Sequence, residues 1–294
     1  MFLFLSVKIK RFLYSLILAS VTAILVVVIP GLSQTVVITP NNPKLGDTLS
    51  VVIQQSNTKL STPTVNIDGK TYPSFPLGQN KFRALLPTTP LDKSGLRQIQ
   101  VTTDTGMQNL TVNLQSRSFP TQSIWLPPEK ESIEGTDLEF DRVGAFKQLV
   151  TPDKLWKGPF VRPNNGPVST VYGVRRYYNG NFAENYYHRG VDYADYNGSP
   201  VVAPAAGRIA LVGLESQGFE IHGNTVGIDH GQGVTSILIH LSGINVKEGS
   251  IVKAGQKIGT VGSTGASTGP HLHWGLYVHG QAVDPIPWRY DGIE

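Results

Sequence analysis

Short runs of apolar and β-branched residues alternate with polar residues over 35–117 and predict a series of β-strands. Asp68-Gly69 and Asp104-Thr105-Gly106 lie between such runs and supply the residue types that tight turns require. About six or seven strands in roughly 80 residues predict a small antiparallel sandwich of the immunoglobulin-like type. Because no histidine precedes His188, we expect this domain to act as a spacer or in surface recognition. The predicted strands are Val36–Thr39, Thr48–Ile53, Thr64–Ile67, Phe82–Leu86, Arg97–Thr102 and Leu110–Leu114.

A second strand-rich region covers 158–290 and contains no pattern typical of a long helix. Glycine and proline residues separate its apolar runs and indicate turns. We therefore expect an antiparallel β-sheet with a functional site on one face. The predicted fold class of the whole chain is all-β, with one short helical connector. The predicted strands are Val201–Leu211, Thr225–Asp229, Thr235–His240, Lys257–Val261 and His271–Val278.

The connector between these regions, residues 118–157, is predicted to contain one short helix. Thr136 and Glu139 have the spacing of a capping box, which marks the start of a helix. The sequence predicts a helix over 136–150 that packs one apolar side against a domain and fixes the placement of the two domains. The residues on that side are Leu138, Val143, Phe146 and Leu149.

The first 34 residues have the composition of a targeting segment. Lys8, Lys10 and Arg11 precede the uncharged stretch Phe12–Ile29, and the small residues of 30–33 follow it. A signal peptide cut before Gln34 and an uncleaved membrane anchor both fit this pattern, and cleavage is the favoured reading. Either one predicts export to the periplasm or cell envelope.

Composition excludes some classes of function. Of the 294 residues, 40% are hydrophobic and 16% charged, as in an ordinary folded protein with room for two domains. The formal charge is +4, but residues 1–34 hold three basic side chains and no acid, so the remainder has 22 basic and 21 acidic side chains. Nucleic-acid binding, which needs a concentrated basic face, is therefore not expected. The chain has no cysteine, which excludes disulfides and cysteine-ligated metals.

Five polar residues form candidate chemistry in the second region. His271 and His273 are two residues apart in a predicted strand, so their side chains point to the same face. His188 and Asp192 come about 80 residues earlier, and His240 ends an apolar run. Three such ligands with one position left for water form a catalytic zinc site, although the spacing does not say which histidine of the His271/His273 pair binds the metal. The other histidines, expected to be surface or core residues, are His222, His230 and His279.

The motifs around these residues resemble the lysostaphin-type zinc endopeptidases that cut peptidoglycan. The resemblance runs in order over 158–290, and one departure is Leu238, where the family often has tyrosine. The segments that carry it are HRGVDYAD (188–195), SPVVAPAAGRIALVG (199–213), GNTVGIDHGQGVTSILIHLS (223–242), GSIVKAGQKIGTVGSTG (249–265) and STGPHLHWGL (267–276).

This resemblance implies a peptidase domain of the duplicated hybrid motif type and assigns the roles. His188, Asp192 and His273 would be the zinc ligands, and His240 and His271 the catalytic pair beside a water molecule that the zinc activates. The implied partners are peptidoglycan stem peptides or cross-bridges, and the cross-link could be D-Ala-diaminopimelate or a glycine-containing bridge. The sequence leaves the oligomeric state open.

Three further hypotheses remain beside this one. A module that only binds the cell wall would explain the sandwich domain but not the group of candidate metal ligands. Some relatives in this family have lost ligands and act as noncatalytic cell-wall-binding regulators of a separate wall amidase. The glycine-rich segments also resemble lipoyl or biotinyl carrier domains, but Lys253 and Lys257 lie within a strand-turn pattern rather than at a hairpin tip. A cluster of arginine and tyrosine residues before the first histidine motif forms either a wall of the substrate groove or the packing of a loop. Its members are Arg175, Arg176, Tyr177, Tyr178, Tyr186 and Tyr187.

Overall fold

A computed structural model describes residues 25–27, 34–56, 61–125, 134–291 and 293 of the chain. The described part is nearly all β, with mostly antiparallel sheets, as the sequence predicts. Most of the predicted targeting segment lies outside the described residues. Within it, Leu25–Val27 pairs antiparallel with Val36–Ile38 at the edge of a sheet. No helix in the described ranges has the length and apolar character needed to span a membrane.

Two antiparallel sheets of the first region share one hydrophobic core. The first has the strand order β1-β2-β3-β7-β6 and the second the order β5-β4-β8-β9. Val36, Val51 and Ala84 of the first sheet pack in the same cluster as Ile99 and Val101 of the second. The six predicted strands are all present, and Asp68 and Gly69 turn between β4 and β5 with φ values of 52° and 82°. The strands are β1 Leu25–Val27, β2 Gln34–Thr39, β3 Thr48–Gln55, β4 Thr64–Ile67, β5 Lys70–Pro73, β6 Phe75–Gly78, β7 Lys81–Pro87, β8 Gly95–Thr103 and β9 Gly106–Leu114.

The second region is built on one large sheet with the order β11-β14-β21-β18-β17-β16-β19, extended by β15, β20 and β22. A separate sheet of three strands joins β10, β12 and β13, and β10 runs parallel to β12. The elements are β10 Thr121–Ile124, α1 Asp137–Lys147, β11 Val168–Thr170, β12 Arg175–Tyr178, β13 Asn181–Phe182, β14 Val191–Ala194, β15 Pro200–Val202, β16 Gly207–Gly213, a 3-10 turn Glu215–Gln217, β17 Asn224–Gly231, β18 Val234–Ile244, β19 Ile251–Val252, β20 Lys257–Val261, β21 His271–Val278, β22 Gln281–Val283 and α2 Pro285–Trp288.

One predicted strand of this region, Val201–Leu211, is in fact two strands. The chain leaves the sheet after Val202 and returns at Gly207, so that β15 pairs with β20 and β16 pairs with β17. Pro204 lies in the break, where it has no N–H to give to a strand partner and its carbonyl accepts from Val161 instead.

The connector helix α1 begins as predicted but ends earlier, and the buried residue of its first turn is not the predicted one. Thr136 caps it by accepting a hydrogen bond from the Glu139 N–H at 3.1 Å, and the helix ends at Lys147 rather than near residue 150. Val143 and Phe146 are buried as expected, whereas Leu138 is 52% exposed. The prediction for Leu138 is wrong because the buried position of the first turn is taken by Glu139.

The two regions are joined through a fully buried arginine. Arg83 of β7 donates hydrogen bonds to Gln232 Oε1 at 2.8 Å and to the Ile293 carbonyl at 2.9 Å. Its guanidinium also lies over the Trp156 ring, 5.1 Å from the centroid. A second contact links Arg117 to Asp284 at 2.8 Å. Since these hydrogen bonds and this ion pair cross the junction, they hold the two regions in one arrangement.

We expect Arg83→Met to lower the stability of the protein by about 2–3 kcal/mol, because it leaves Gln232 Oε1 and other buried polar atoms without their charged partner. Urea unfolding monitored by tryptophan fluorescence measures the effect. Arg208→Met, a change at an exposed arginine, is the control and should move the midpoint little. Equal midpoints for wild type and Arg83→Met would show that the junction contributes nothing.

Candidate metal centre

Two neighbouring strands and the loop before them bring three ligand side chains together. In the pairing of β14 with β21, Asp192 lies directly opposite His273, and His188 precedes β14 by three residues. Asp192 Oδ1 is 2.8 Å from His273 Nδ1 and 3.0 Å from His188 Nε2, and the two nitrogens are 3.0 Å apart. All three side chains are buried. This group can hold a metal ion, since tetrahedral ligands at about 2.0–2.1 Å from zinc are separated by roughly 3.3 Å.

The surroundings of the group favour the protonation states that a metal needs. The Val171 carbonyl lies 2.9 Å from His188 Nδ1 and accepts its proton, which directs Nε2 toward the ligand group. Burial lowers the pKa of His273 to about 4. Burial alone would raise the pKa of Asp192, but the contacts with His188 and His273 hold it well below its usual range. At neutral pH the site therefore offers an anionic oxygen and a neutral imidazole.

His240 and His271 form a second pair of imidazoles beside this group. Their ring centroids are 4.8 Å apart, and the His240 ring is 6.5 Å from that of His273. Nδ1 of His240 lies 2.9 Å from the Thr264 carbonyl, and Nδ1 of His271 lies 2.8 Å from the Gly269 carbonyl. Because these carbonyls accept the Nδ1 protons, Nε2 of each neutral ring is left as the basic nitrogen. Burial, together with His271 and His273, lowers the pKa of His240 to about 3.

His240 has an unusual backbone conformation. Its φ of 65° lies in the left-handed region, which non-glycine residues seldom adopt. The residue follows the last pair of the β18–β21 ladder, Ile239 with His273, and its N–H donates to the His222 carbonyl at 3.0 Å. This strained backbone lies within β18, at the point where the strand leaves its partner β21.

Glu139 is a residue of the site region whose role the sequence does not reveal. Its carboxylate, 0% exposed, accepts hydrogen bonds from the backbone N–H groups of residues 220–222 at 3.1, 3.1 and 2.6 Å. It also contacts His222 Nδ1 at 2.5 Å. Burial opposes ionisation, but the contacts with His222 and these amides leave the pKa of Glu139 lowered. The capping-box spacing predicts a bond back to Thr136, whereas the side chain ties α1 to the loop that supports His240.

A cleft of about 1060 Å³ opens above the metal-ligand group and the neighbouring pair His240 and His271. One wall is formed by α1, with Phe140 and Lys147, and another by β10 and β12. Three members of the arginine and tyrosine cluster line the cleft: Arg176, Tyr178 and Tyr186. Tyr187 is buried instead, and its hydroxyl donates a hydrogen bond to the Ala282 carbonyl. Arg175 and Tyr177 do not line it either: Arg175 donates to main-chain carbonyls, and the Tyr177 ring lies against Phe182.

The remaining histidines do not join the metal group. His222 lines the cleft but is bonded to Glu139. His230 is buried between the Ala206 carbonyl and Ser236 Oγ, and burial lowers its pKa to about 4. His279 packs against the Tyr72 ring with centroids 5.3 Å apart. These positions agree with the expectation that all three are surface or core residues.

Comparison with known proteins identifies the second region. Residues 186–285 match the profile of peptidase family M23. Lysostaphin of Staphylococcus staphylolyticus is 43% identical over 106 residues, and the peptidoglycan DD-endopeptidase ShyA of Vibrio cholerae is 40% identical over 99 residues. Each match covers 34% of this chain and 22% of the relative, so the chain spans about a fifth of the length of these relatives.

The structural similarity extends beyond the matched region. A crystal structure described as a peptidase M23 from Pseudomonas aeruginosa superposes with a TM-score of 0.62 at 27% identity. It covers 84% of this chain and 95% of the other. The two proteins therefore share a fold that includes much of the chain before the family match.

We expect Gly190→Ala to weaken divalent metal binding by about 10–100-fold, as changes next to metal ligands commonly do. A Cβ at this position would lie 2.3 Å from the Trp274 carbonyl oxygen and 2.8 Å from the His273 ring, so β14 and β21 would have to separate. Competition with a fluorescent chelator measures the affinity. Gly144→Ala is the control because a Cβ there meets nothing within 4 Å, and unchanged affinity in Gly190→Ala would contradict the packing argument.

Glu139→Gln should destabilise the protein by about 2–4 kcal/mol, because three amides and an imidazole lose the charged acceptor of their partly buried hydrogen bonds. Thermal unfolding at neutral pH tests this, and the variant should also lose hydrogen-exchange protection at residues 220–222. Glu134→Gln, an exposed carboxylate just before the same helix, should behave as wild type. Equal stability of all three proteins would refute the role of Glu139.

Proposed function

Residues 186–285 belong to peptidase family M23, and from that premise we propose that the protein is a zinc-dependent endopeptidase that hydrolyses peptide cross-links of bacterial peptidoglycan. The observation that carries the proposal is the convergence of His188, Asp192 and His273 beside His240 and His271 at the base of one cleft. The M23 relative from Vibrio cholerae, named a peptidoglycan DD-endopeptidase, supports the choice of substrate.

Zinc is the metal that best suits the donor set. His188 and His273 offer imidazole nitrogens and Asp192 a carboxylate, which together are typical of catalytic rather than structural zinc sites. When bound, the ion would supply a Lewis acid that polarises the scissile carbonyl and lowers the pKa of a water molecule. With the single anionic ligand Asp192, the centre would keep a net positive charge toward the cleft.

His240 and His271 would perform the proton transfers and stabilise developing charge. Each neutral ring presents Nε2 as its basic nitrogen, so either can accept a proton from the attacking water. Once protonated, the same nitrogen can donate a hydrogen bond to the oxyanion or to the leaving amine. Burial lowers the pKa of His240 to about 3, so this ring is neutral before the reaction begins.

The noncatalytic regulator is the less favoured alternative. A protein that only binds the wall and activates an amidase does not need a complete ligand set or a second histidine pair. Here both are present and face an accessible cleft, which supports catalysis.

The remaining parts of the chain complete the proposal. Residues 1–34 would direct export to the periplasm or cell envelope, either as a cleaved signal peptide or as an anchor. Residues 35–117 would form an immunoglobulin-like spacer or recognition domain, 118–157 the connector, and 158–290 a peptidase domain of the duplicated hybrid motif type. Cell fractionation with N-terminal sequencing tests the first part, since a cytoplasmic product that begins at Met1 would refute export.

The ligand and catalytic histidines are separated by measuring zinc and turnover on the same preparations. We expect His188→Ala, Asp192→Ala and His273→Ala to lose zinc and activity together. In contrast, His240→Ala and His271→Ala should retain zinc while hydrolysis of cross-linked peptidoglycan slows by about 10²–10⁴-fold. Elemental analysis and release of soluble peptides are the two readouts.

Three other results would each contradict a different part of the proposed function. Zinc loss in His271→Ala with retention in His273→Ala would reverse the ligand assignment. Wild-type turnover in His240→Ala would remove that residue from the mechanism. A zinc-loaded wild-type protein that hydrolyses no peptidoglycan would favour the regulator.

A further inference from the structure

One arginine in the cleft wall is held in place by neutral groups alone. Arg176 of β12 donates from Nη1 to the Tyr186 hydroxyl at 2.9 Å and to the Tyr178 hydroxyl at 3.3 Å. Its Nε donates to Gln122 Oε1 at 3.3 Å, and Gln122 stands opposite Arg176 in the β10–β12 pairing. No carboxylate in the described ranges forms an ion pair with this guanidinium.

Other arginines of the molecule do have acid partners. Arg117 pairs with Asp284, Arg97 with Asp68, and Arg142 with Glu248. Unlike these three arginines, Arg176 has neutral partners in the cleft wall, which fix its orientation without neutralising its charge. Because its orientation is already fixed, such a guanidinium loses little conformational entropy when it binds a planar anion through two parallel hydrogen bonds.

The charges that face the cleft have one predominant sign. Lys147, Arg176 and Arg189 line it, and Asp192 is the one acidic residue among the described residues of its lining. Asp192 already belongs to the metal group, where a divalent ion would outweigh its charge. The cleft therefore attracts an anionic substrate, and Arg176 is the cation whose position is best defined.

We propose that Arg176 binds a free carboxylate of the substrate close to the scissile bond and so determines specificity. This inference rests on the proposed endopeptidase function and narrows its substrate class. A stem-peptide cross-link that contains diaminopimelate carries such a carboxylate, whereas an oligoglycine bridge has none on its side chains. The favoured substrate is thus the cross-link that contains diaminopimelate.

The elements that build this subsite explain why the family match alone does not reveal it. Gln122, Arg176 and Tyr178 all precede residue 186, where the match begins. The chain can therefore combine a metal group common to the family with a recognition wall of its own.

Two synthetic peptide dimers joined by a D-Ala-diaminopimelate cross-link test the proposal, one with the free carboxylate and one with the carboxamide at that position. Wild type should favour the carboxylate in kcat/KM by about 10–100-fold, the usual worth of a hydrogen-bonded ion pair in a partly buried site. Arg176→Gln should lose this preference through a higher KM for the carboxylate peptide. Its kcat/KM values for the two peptides should become equal, and its zinc content should match that of wild type.

Two matched variants separate specific pairing from general attraction. Lys147→Gln removes another cleft cation and should keep most of the preference, whereas Arg176→Lys keeps the charge without the planar fork and should retain only part of it. An equal loss of preference in Lys147→Gln and Arg176→Gln would overturn the specific pairing.

The wild type itself distinguishes this inference from the proposed function. Hydrolysis of both peptides with equal kcat/KM would overturn the role of Arg176 and leave the endopeptidase intact. Hydrolysis of neither peptide, nor of whole peptidoglycan, by the zinc-loaded protein would overturn both.

Discussion

The antiparallel register between β14 and β21 is the constraint on which the site depends. It sets Asp192 opposite His273 and places their ligand atoms 2.8 Å apart. A slip of one residue would turn the opposing side chains to the other face of the sheet and separate them. The close approach at Gly190, where the backbone lies against the His273 ring, keeps the strands at the required distance. A buried group of this kind is stable only when its charges are compensated, as a bound divalent cation would do.

Residues outside the matched family region hold the second histidine pair and join the two regions. Glu139 ties α1 to residues 220–222, and the His222 carbonyl in that loop holds the N–H of His240. Arg83 in turn fixes the first region against the second through Gln232. The helix that the sequence presents as a simple connector is therefore both a wall of the cleft and a support for the second histidine pair.

Local patterns account for what could be predicted from the sequence. Alternation of apolar residues located strands such as β2 and β9 of the first region, where one face of the sheet is buried. The central strands of the second region are buried on both faces, and short apolar runs between glycine and proline residues located them instead. Thr136 marked the start of α1. The spacing of His271 and His273 left their roles open, and the register separates them because His273 faces Asp192 whereas His271 faces Ala194. The partners of Glu139 are about 80 residues away in the chain, and the left-handed φ of His240 depends on where a ladder ends. Neither the partners of Glu139 nor the φ of His240 can therefore be predicted from the neighbouring residues in the sequence.

The most direct test of the central claim is a crystal structure of the zinc-loaded protein with anomalous data collected on both sides of the zinc absorption edge. We expect one anomalous peak, bound by His188 Nε2, Asp192 and His273 Nδ1 at about 2.0–2.2 Å. His240 and His271 should lie beside the ion without binding it. A peak ligated by His240 or His271 in place of His273, or no peak at this group in zinc-loaded crystals, would contradict it.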